Sequence, residues 1–546
     1  MSSTLTDEPA GSFDGLVRVP ITRDAGFGPD LWAPHDRAHR ATRSLHRLLT
    51  RSPLTWLRSQ ALLLGVLSMQ AALSLRLRNS LFADEALYLY AGHREIELFL
   101  HGSPTFDNYA SYFSGAPFLY PVLGAAADSA AGPTAARAVS LLLMLTTTVL
   151  LYWMTRRLFD QHTAVLAAIV FAVAEPTQFM GHLATYDAPA LCLLAVAACL
   201  VVRSASRSTA GVLLAAPCLV LAAATKYAAL LFIPTVIALA VLASVAARGW
   251  RRALATGALL AGTTAVLAGA VLAVIPQLQA GIESTTSARA AGTDQPSVLL
   301  TQSTAYIGAA VLLAAAGTVL HWRTSQAPGR HDSPLVRLLL GVTLTATALL
   351  APADQVHLHT LTSLQKHVGY GLLFAAPMAG VALAGLLGRH IADARRLTLV
   401  LTVCVLLTWA GISQAGRRFH DWPDSTGLVA ALTTQVRPVT GRYLIEEPEV
   451  PRYYLRTVVR PYQWAGTYYF AYTTHSGAHL VGAQAYTAAI ADHYFDVVAL
   501  RYGPTAPLDV QIDSGLRAAR GYQLIGKIPA DSSYGGGFWW IWRIST

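Results

Sequence analysis

The sequence predicts a polytopic α-helical membrane protein that carries a small α/β domain after its last span. Three observations lead there. Hydrophobic residues make up 54% of the 546 positions and charged residues only 13%, against roughly a quarter charged in soluble domains. Eleven stretches approach the roughly 20 apolar residues needed to cross a bilayer. Beyond residue 413 those stretches stop, and short runs of β-branched and aromatic residues replace them.

Residues 1–52 are polar and end in Arg37, Arg40, Arg43, Arg47 and Arg51. They read as a cytoplasmic, largely disordered tail with a basic anchor. The apolar region begins too late for a cleaved leader. The membrane domain covers 53–413. Its expected spans fall near 56–75, 136–155, 163–180, 188–202, 210–224, 228–246, 253–275, 305–320, 335–350, 369–387 and 397–413. Residues 116–131 are also apolar, but Pro117, Pro121 and Asp128 place them in the first outer loop, 76–135. Alternate connections hold Arg156/Arg157, Arg203/Arg207, Arg248/Arg251/Arg252, Arg323/Arg330 and Arg389/Arg395/Arg396. By the positive-inside rule these face the cytoplasm. The N-terminus is then inside the cytoplasmic membrane, and 414–546 outside. The net charge of +10 is thus a topology signal. No basic run with interleaved aromatics supports nucleic-acid binding. Cys192, Cys199, Cys218 and Cys404 all lie in apolar segments and read as small buried hydrophobes.

The unusual polar residues gather at the outer end. Asp84 and Glu85 stand in tandem just after the first span, within SLFADEALYLY. Two adjacent acids at the mouth of a membrane helix are costly to desolvate and mark a candidate site. The spacing in ADEALYLYAGHREIE predicts an amphipathic interfacial helix, which the acids could equally cap. His182, Tyr186 and Asp187 precede another span, where Asp187 could serve as an N-cap. Lys226 sits between two spans with almost no linker, placed for a lipid phosphate or for snorkelling. Residues 277–304, with Arg289, read as a connector or mobile lid. His357, His359, Lys366 and His367 crowd the last outer loop. Phosphate or sugar contacts fit Lys366 and His367; His-x-His alone is a weak zinc signal.

In 414–546, TGRYLIEE, FDVVALRY, YQLIGKI and FWWIWRI read as strands. AQAYTAAIADHY and PLDVQIDSGLRAARG read as helices. The result is an extracytoplasmic α/β domain, whose many tyrosines could stack on sugars.

Several segments together resemble the GT-C superfamily of membrane glycosyltransferases. They are FADEA (82–86), PFLYP (117–121), AARAVS (135–140), Tyr186-Asp187, Thr225-Lys226-Tyr227 and Lys366-His367 with Ala376-Pro377. The similarity is to the glycosyltransferase 39/83 group, which includes protein O-mannosyltransferases, aminoarabinose transferases and RgtA/B/C/D-like proteins. It covers about 56–413. Many relatives carry Arg where this chain has Lys366-His367.

The resemblance implies a GT-C type fold and an inverting hexosyl- or pentosyltransferase. Its donor would be a polyprenyl-phosphate sugar, taken from among the membrane lipids at the outer face. Asp84 would be the catalytic base. Glu85 and Asp187 would position the acceptor, which the sequence leaves open as protein, lipid or glycan. Lys226, Lys366, His367 and Arg289 would meet the donor phosphate. No cofactor is implied with certainty; a divalent ion, where one is used, would fall to Asp84, Glu85 and Asp187. The rival readings are a lipid-linked-sugar flippase or transporter and a non-catalytic glycan-binding assembly protein.

Overall fold

The computed structural model describes residues 53–206, 210–323, 333–388, 393–533 and 536–545. The tail expected over 1–52 lies outside the described residues, as do Arg207, Arg330 and Arg389. The chain divides into two units, 1–61 and 62–546. In the first, the described residues begin the helix Pro53–Ser74.

The second unit is a helical membrane region with an α/β tail. Among the described residues seven helices are long and apolar enough to cross a membrane, and three shorter ones are apolar. All eleven expected segments fall on helices. Segments 228–246 and 253–275 share the continuous helix Ile233–Val274, broken only at Gly249 (φ 72°). Glycine tolerates that left-handed value without a Cβ penalty, so two spans meet there with almost no loop. Arg248, beside the break, donates to Ser204 O at 2.7 Å, and Arg157 donates to Val202 O at 3.1 Å. The arginine-rich connections thus meet at one end.

Leu364–Leu387 is the central helix. It is apolar all round, which suits burial on every side, and 78% of its most apolar window is buried, against 11% for Ala394–Arg418. Its main neighbours are Ala309–Arg323 and Gln161–Val173.

The stretch expected as a loop from 76 to 135 is mostly helical. Ala83–His101 packs against Tyr120–Ala131, and Pro133 opens the next span. Gly92 permits this approach, since a Cβ there would lie 1.9 Å from Pro121 O and 2.8 Å from the Ala125 methyl. Residues 277–304 also gain structure that the sequence reading lacked, in Gln277–Thr285 and Pro296–Ser303.

The tail forms a five-stranded sheet in the order β2-β1-β5-β7-β6 and a separate β3-β4 hairpin. The strands are β1 Tyr443–Ile445, β2 Trp464–Ala465, β3 Ala471–Thr473, β4 His479–Val481, β5 Val497–Leu500, β6 Tyr522–Pro529 and β7 Phe538–Ile544. β1 runs parallel to both β2 and β5, whereas β7 is antiparallel to β5 and β6. Strand alternation sends Leu444, Val498 and Leu500 into one core with the helices Ala483–Ala491 and Ala506–Ala518. Tyr443, Ile445, Val497 and Ala499 face the other core, with Leu428 and Leu432. All four strands and both helices read from the sequence are present; the short β2, β3 and β4 are added.

The Gly92 contact makes a simple prediction. Gly92→Val forces apart two backbones that touch, and overpacking of this kind costs about 1–3 kcal/mol. Gly65→Val points into open space. Thermal unfolding in detergent should show a lowered Tm for the first variant and little change for the second.

Candidate active site

The tandem acids divide their labour because adjacent residues on a helix point about 100° apart. Both lie in the first turn of Ala83–His101. The Glu85 side chain is wholly buried. It accepts from Arg137 Nε at 2.8 Å and Nη2 at 2.7 Å, from Phe82 N at 2.9 Å and from Ala184 N at 2.8 Å. Arg137 also donates to Asn79 O at 3.0 Å and Ser80 O at 3.1 Å. This bidentate pair ties the start of the helix to the next span and to the turn before Asp187. The oxygens of Glu85, expected to help position an acceptor, are thus occupied by protein donors.

Asp84 keeps 35% of its side chain exposed. It lines a cavity of about 570 Å³ between the membrane region and the tail. Behind it, Lys366 Nζ stands 2.9 Å from Asp84 Oδ2 and 3.9 Å from Asp187 Oδ2. Asp187 is the first residue of its helix and makes no N-cap bond. Its carboxylate instead accepts from Thr185 Oγ1 at 3.2 Å and from the Tyr370 hydroxyl at 3.3 Å.

The other expected cations do not line this cavity. Lys226 is buried rather than snorkelling, and its ammonium donates to Ser114 Oγ at 2.7 Å. It feels both Asp187 and Asp84 electrostatically. Buried His367 bonds Gln355 through Nδ1 at 3.1 Å, while its Nε2 has no hydrogen-bond partner among the described residues. Arg289 is half-buried in the loop after Gln277–Thr285, within electrostatic reach of Lys226 and His367. The structure thus gathers Asp84, Asp187, Lys366, Lys226 and His367 at one end of the bundle.

The expected metal set does not assemble. Glu85 is committed to Arg137, and the Lys366 ammonium stands between the remaining two acids. Among the described residues no group of three or more His, Cys, Asp or Glu is placed to hold an ion.

Apart from Tyr468, one of the tail tyrosines read as able to stack on sugars, the sequence reading missed the far wall of the cavity. Glu447, Glu449, Tyr468, Arg501 and Gly503 come from the tail, and Arg418, Asp421 and Trp422 from its junction with the last span. The tail residues follow the carboxyl ends of β1, β2 and β5, the three mutually parallel strands. Loops at that end commonly form binding crevices in α/β sheets. Fully buried Glu446 fixes their geometry by accepting from Arg501 N and Gly503 N, both at 2.7 Å. Glu447 pairs with Arg501 at 2.7 Å. The acid run EEPE directly after a strand was the available signal.

The tail is clamped to the helix bearing Asp84. Arg452 pairs with Asp107 and stacks 4.4 Å from the Tyr90 ring centroid. Buried Asp128 accepts from the Tyr453 hydroxyl and pairs with His93 at 2.6 Å. Trp422 Nε1 donates to Ser80 O at 3.2 Å, and Ser425 N donates to Ser80 Oγ at 2.8 Å.

This is a multi-pass membrane protein with the GT-C fold, the class that the sequence resembled. The model of the family described as dolichyl-phosphate-mannose-protein mannosyltransferase matches residues 129–278. The structure is similar to that of ArnT from Cupriavidus metallidurans bound to undecaprenyl phosphate, with a TM-score of 0.57 and 14% identity, covering 90% of this chain and 98% of that one. It is also similar to the archaeal oligosaccharyltransferase AglB from Archaeoglobus fulgidus in complex with an inhibitory peptide and a dolichol-phosphate. There the TM-score is 0.52 and the identity 14%, covering 88% of this chain and 75% of that one. No curated protein sequence matches the chain significantly.

Glu85→Gln should destabilise the fold strongly, since it leaves the Arg137 guanidinium without its counter-charge. Breaking one side of a buried pair costs about 3–5 kcal/mol. The Tm in detergent should fall well below wild type, and replacing both partners by apolar residues should recover part of the loss.

Proposed function

We propose that the protein is an inverting glycosyltransferase that moves a sugar from a polyprenyl-phosphate donor to an acceptor at the outer face of the cytoplasmic membrane. The observation that carries this reading is the half-open carboxylate of Asp84 at a large cavity, with buried cations immediately behind it. The fold supports it, as do the polyprenyl phosphates bound by ArnT and AglB. The family matched at 129–278 is named for a lipid-linked mannose donor.

In the proposed reaction Asp84 takes the proton from the acceptor's hydroxyl or amine. The acceptor atom forms a bond to the anomeric carbon as the bond from that carbon to the phosphate oxygen breaks. The electron pair leaves with polyprenyl phosphate, which gains one negative charge. Attack from the face opposite the phosphate inverts the anomeric centre. Lys226 and Lys366, with His367 and Arg289, meet the charge on the departing phosphate. Preorganised cations of this kind are worth most where water is excluded. Asp187 holds Lys366 from the side away from Asp84 and so sets the direction of the ammonium. Glu85 acts through position alone.

Asp84→Asn should lower transfer from undecaprenyl-phosphate sugars by about 10²–10⁴-fold, the usual value of general-base help. Binding of undecaprenyl phosphate, read by native mass spectrometry, should persist. A variant that transfers sugar at the wild-type rate would sink the assignment. Lys226→Met should instead weaken lipid-phosphate binding, and unchanged affinity would remove Lys226 from the phosphate site.

A further inference from the structure

The cavity wall contains two complete ion pairs, a carboxylate paired with a lysine outside the lining, and one carboxylate left over. Asp84 is paired with Lys366, Glu447 with Arg501 and Asp421 with Arg418. Glu449 lines the same cavity, and among the described residues it has no ion-pair partner within 4 Å. It opens the helix Glu449–Tyr454, which packs on Ala83–His101 and is clamped there through Arg452 and Tyr453. Its position relative to Asp84 is therefore set by the fold. Beside it the Tyr468 ring is 54% exposed, and Phe82 and Trp422 line the opposite side.

The wall chemistry narrows what can enter. Six of the fifteen lining residues are charged, so the cavity offers polar groups to a hydroxylated ligand. None of the lining residues lies in a strand, so an extended peptide finds no edge to pair with. An exposed aromatic face next to a carboxylate suits a polyhydroxylated ring. The weakly polar C–H face of a sugar covers the aromatic ring, and its hydroxyls donate to the acid.

We propose that the loops at the carboxyl ends of β1, β2 and β5 form the acceptor subsite, and that it takes a saccharide. Tyr468 stacks on the ring and the Glu449 carboxylate accepts from its hydroxyls. This rests on the transferase reading above and names the acceptor class that reading leaves open. Glu449 also carries a pH signature. Burial raises its carboxyl to about 7, helped by repulsion from Glu447 and Asp84 and opposed by Arg452. The carboxylate form, which accepts two hydrogen bonds, thus fills as pH rises from 6 to 8, and saccharide binding should tighten over that interval.

The test is saturation-transfer NMR on the full chain in nanodiscs. The probes are methyl hexopyranosides, methyl pentofuranosides, simple disaccharides and a Ser/Thr-containing hexapeptide. Wild type should bind at least one saccharide and not the peptide. Glu449→Gln should weaken that binding about tenfold, the effect of losing one charge-assisted hydrogen bond, and should abolish its pH trend. Native mass spectrometry should show undecaprenyl phosphate still bound, which confirms folding. Tyr468→Ala, at an exposed position, gives a second variant if Glu449→Gln fails to fold, and should weaken binding likewise. Equal saccharide affinity in wild type and variants, no saccharide bound, or binding of the peptide alone would each overturn the proposal. The measurement needs no turnover. Failure here leaves the transfer assay on Asp84 standing, and failure of that assay leaves this result standing.

Discussion

The buried pair between Glu85 and Arg137 is the contact on which the site's geometry depends. Its four donors come from the residue before the first outer helix, from the next span and from the turn before Asp187. Those three segments carry or adjoin the groups that face the cavity and its cations. An isolated carboxylate at this depth would be unaffordable, but one that accepts bonds from all sides is held rigidly. Asp84 inherits that rigidity as its neighbour in sequence. A flexible acid would sample many directions, whereas this one is directed at both Lys366 and open space.

A second layer of order comes from the tail. The backbone at Asn79 and Ser80 is gripped by Arg137 from the bundle, and Ser80 by Trp422 and Ser425 from the junction with the tail. Asp128, in the helix that packs over Ala83–His101, accepts the Tyr453 hydroxyl from above. The cavity is thus bounded by two bodies sharing a common seam, and its shape cannot change without disturbing buried hydrogen bonds.

Much of this was legible in the sequence. Apolar length gave the helices, and short β-branched and aromatic runs gave the four main strands. The acid pair pointed to the candidate site because charge is so costly beside a membrane segment. What sequence could not supply was direction. Asp84 and Glu85 are indistinguishable as neighbours in a string. Only the helix, with Arg137 on one side of it, separates the exposed acid from the buried one. For Lys226 the sequence left snorkelling and a lipid phosphate both open, and the packing places its ammonium beside Ser114. The tail residues were not gathered into one site for a different reason. Glu447, Glu449, Tyr468 and Arg501 are scattered over more than fifty positions, and parallel strand pairing alone brings them to one rim. The short β2 carries too few residues to announce itself, so Tyr468 had no visible anchor. The loop 277–304 lacked a strong pattern because its two helices are brief.

The parallel arrangement of β1, β2 and β5 separates two kinds of change. Loops at strand ends vary readily without harming the sheet below them, while Asp84 and the cations belong to the membrane bundle. If the proposed transferase reading holds, substitutions confined to three short connections would retune acceptor choice and leave Asp84 and the bundle's cations intact. In such a molecule, diversification of acceptors would proceed by editing a rim, with the reactive end of the bundle preserved as a common engine.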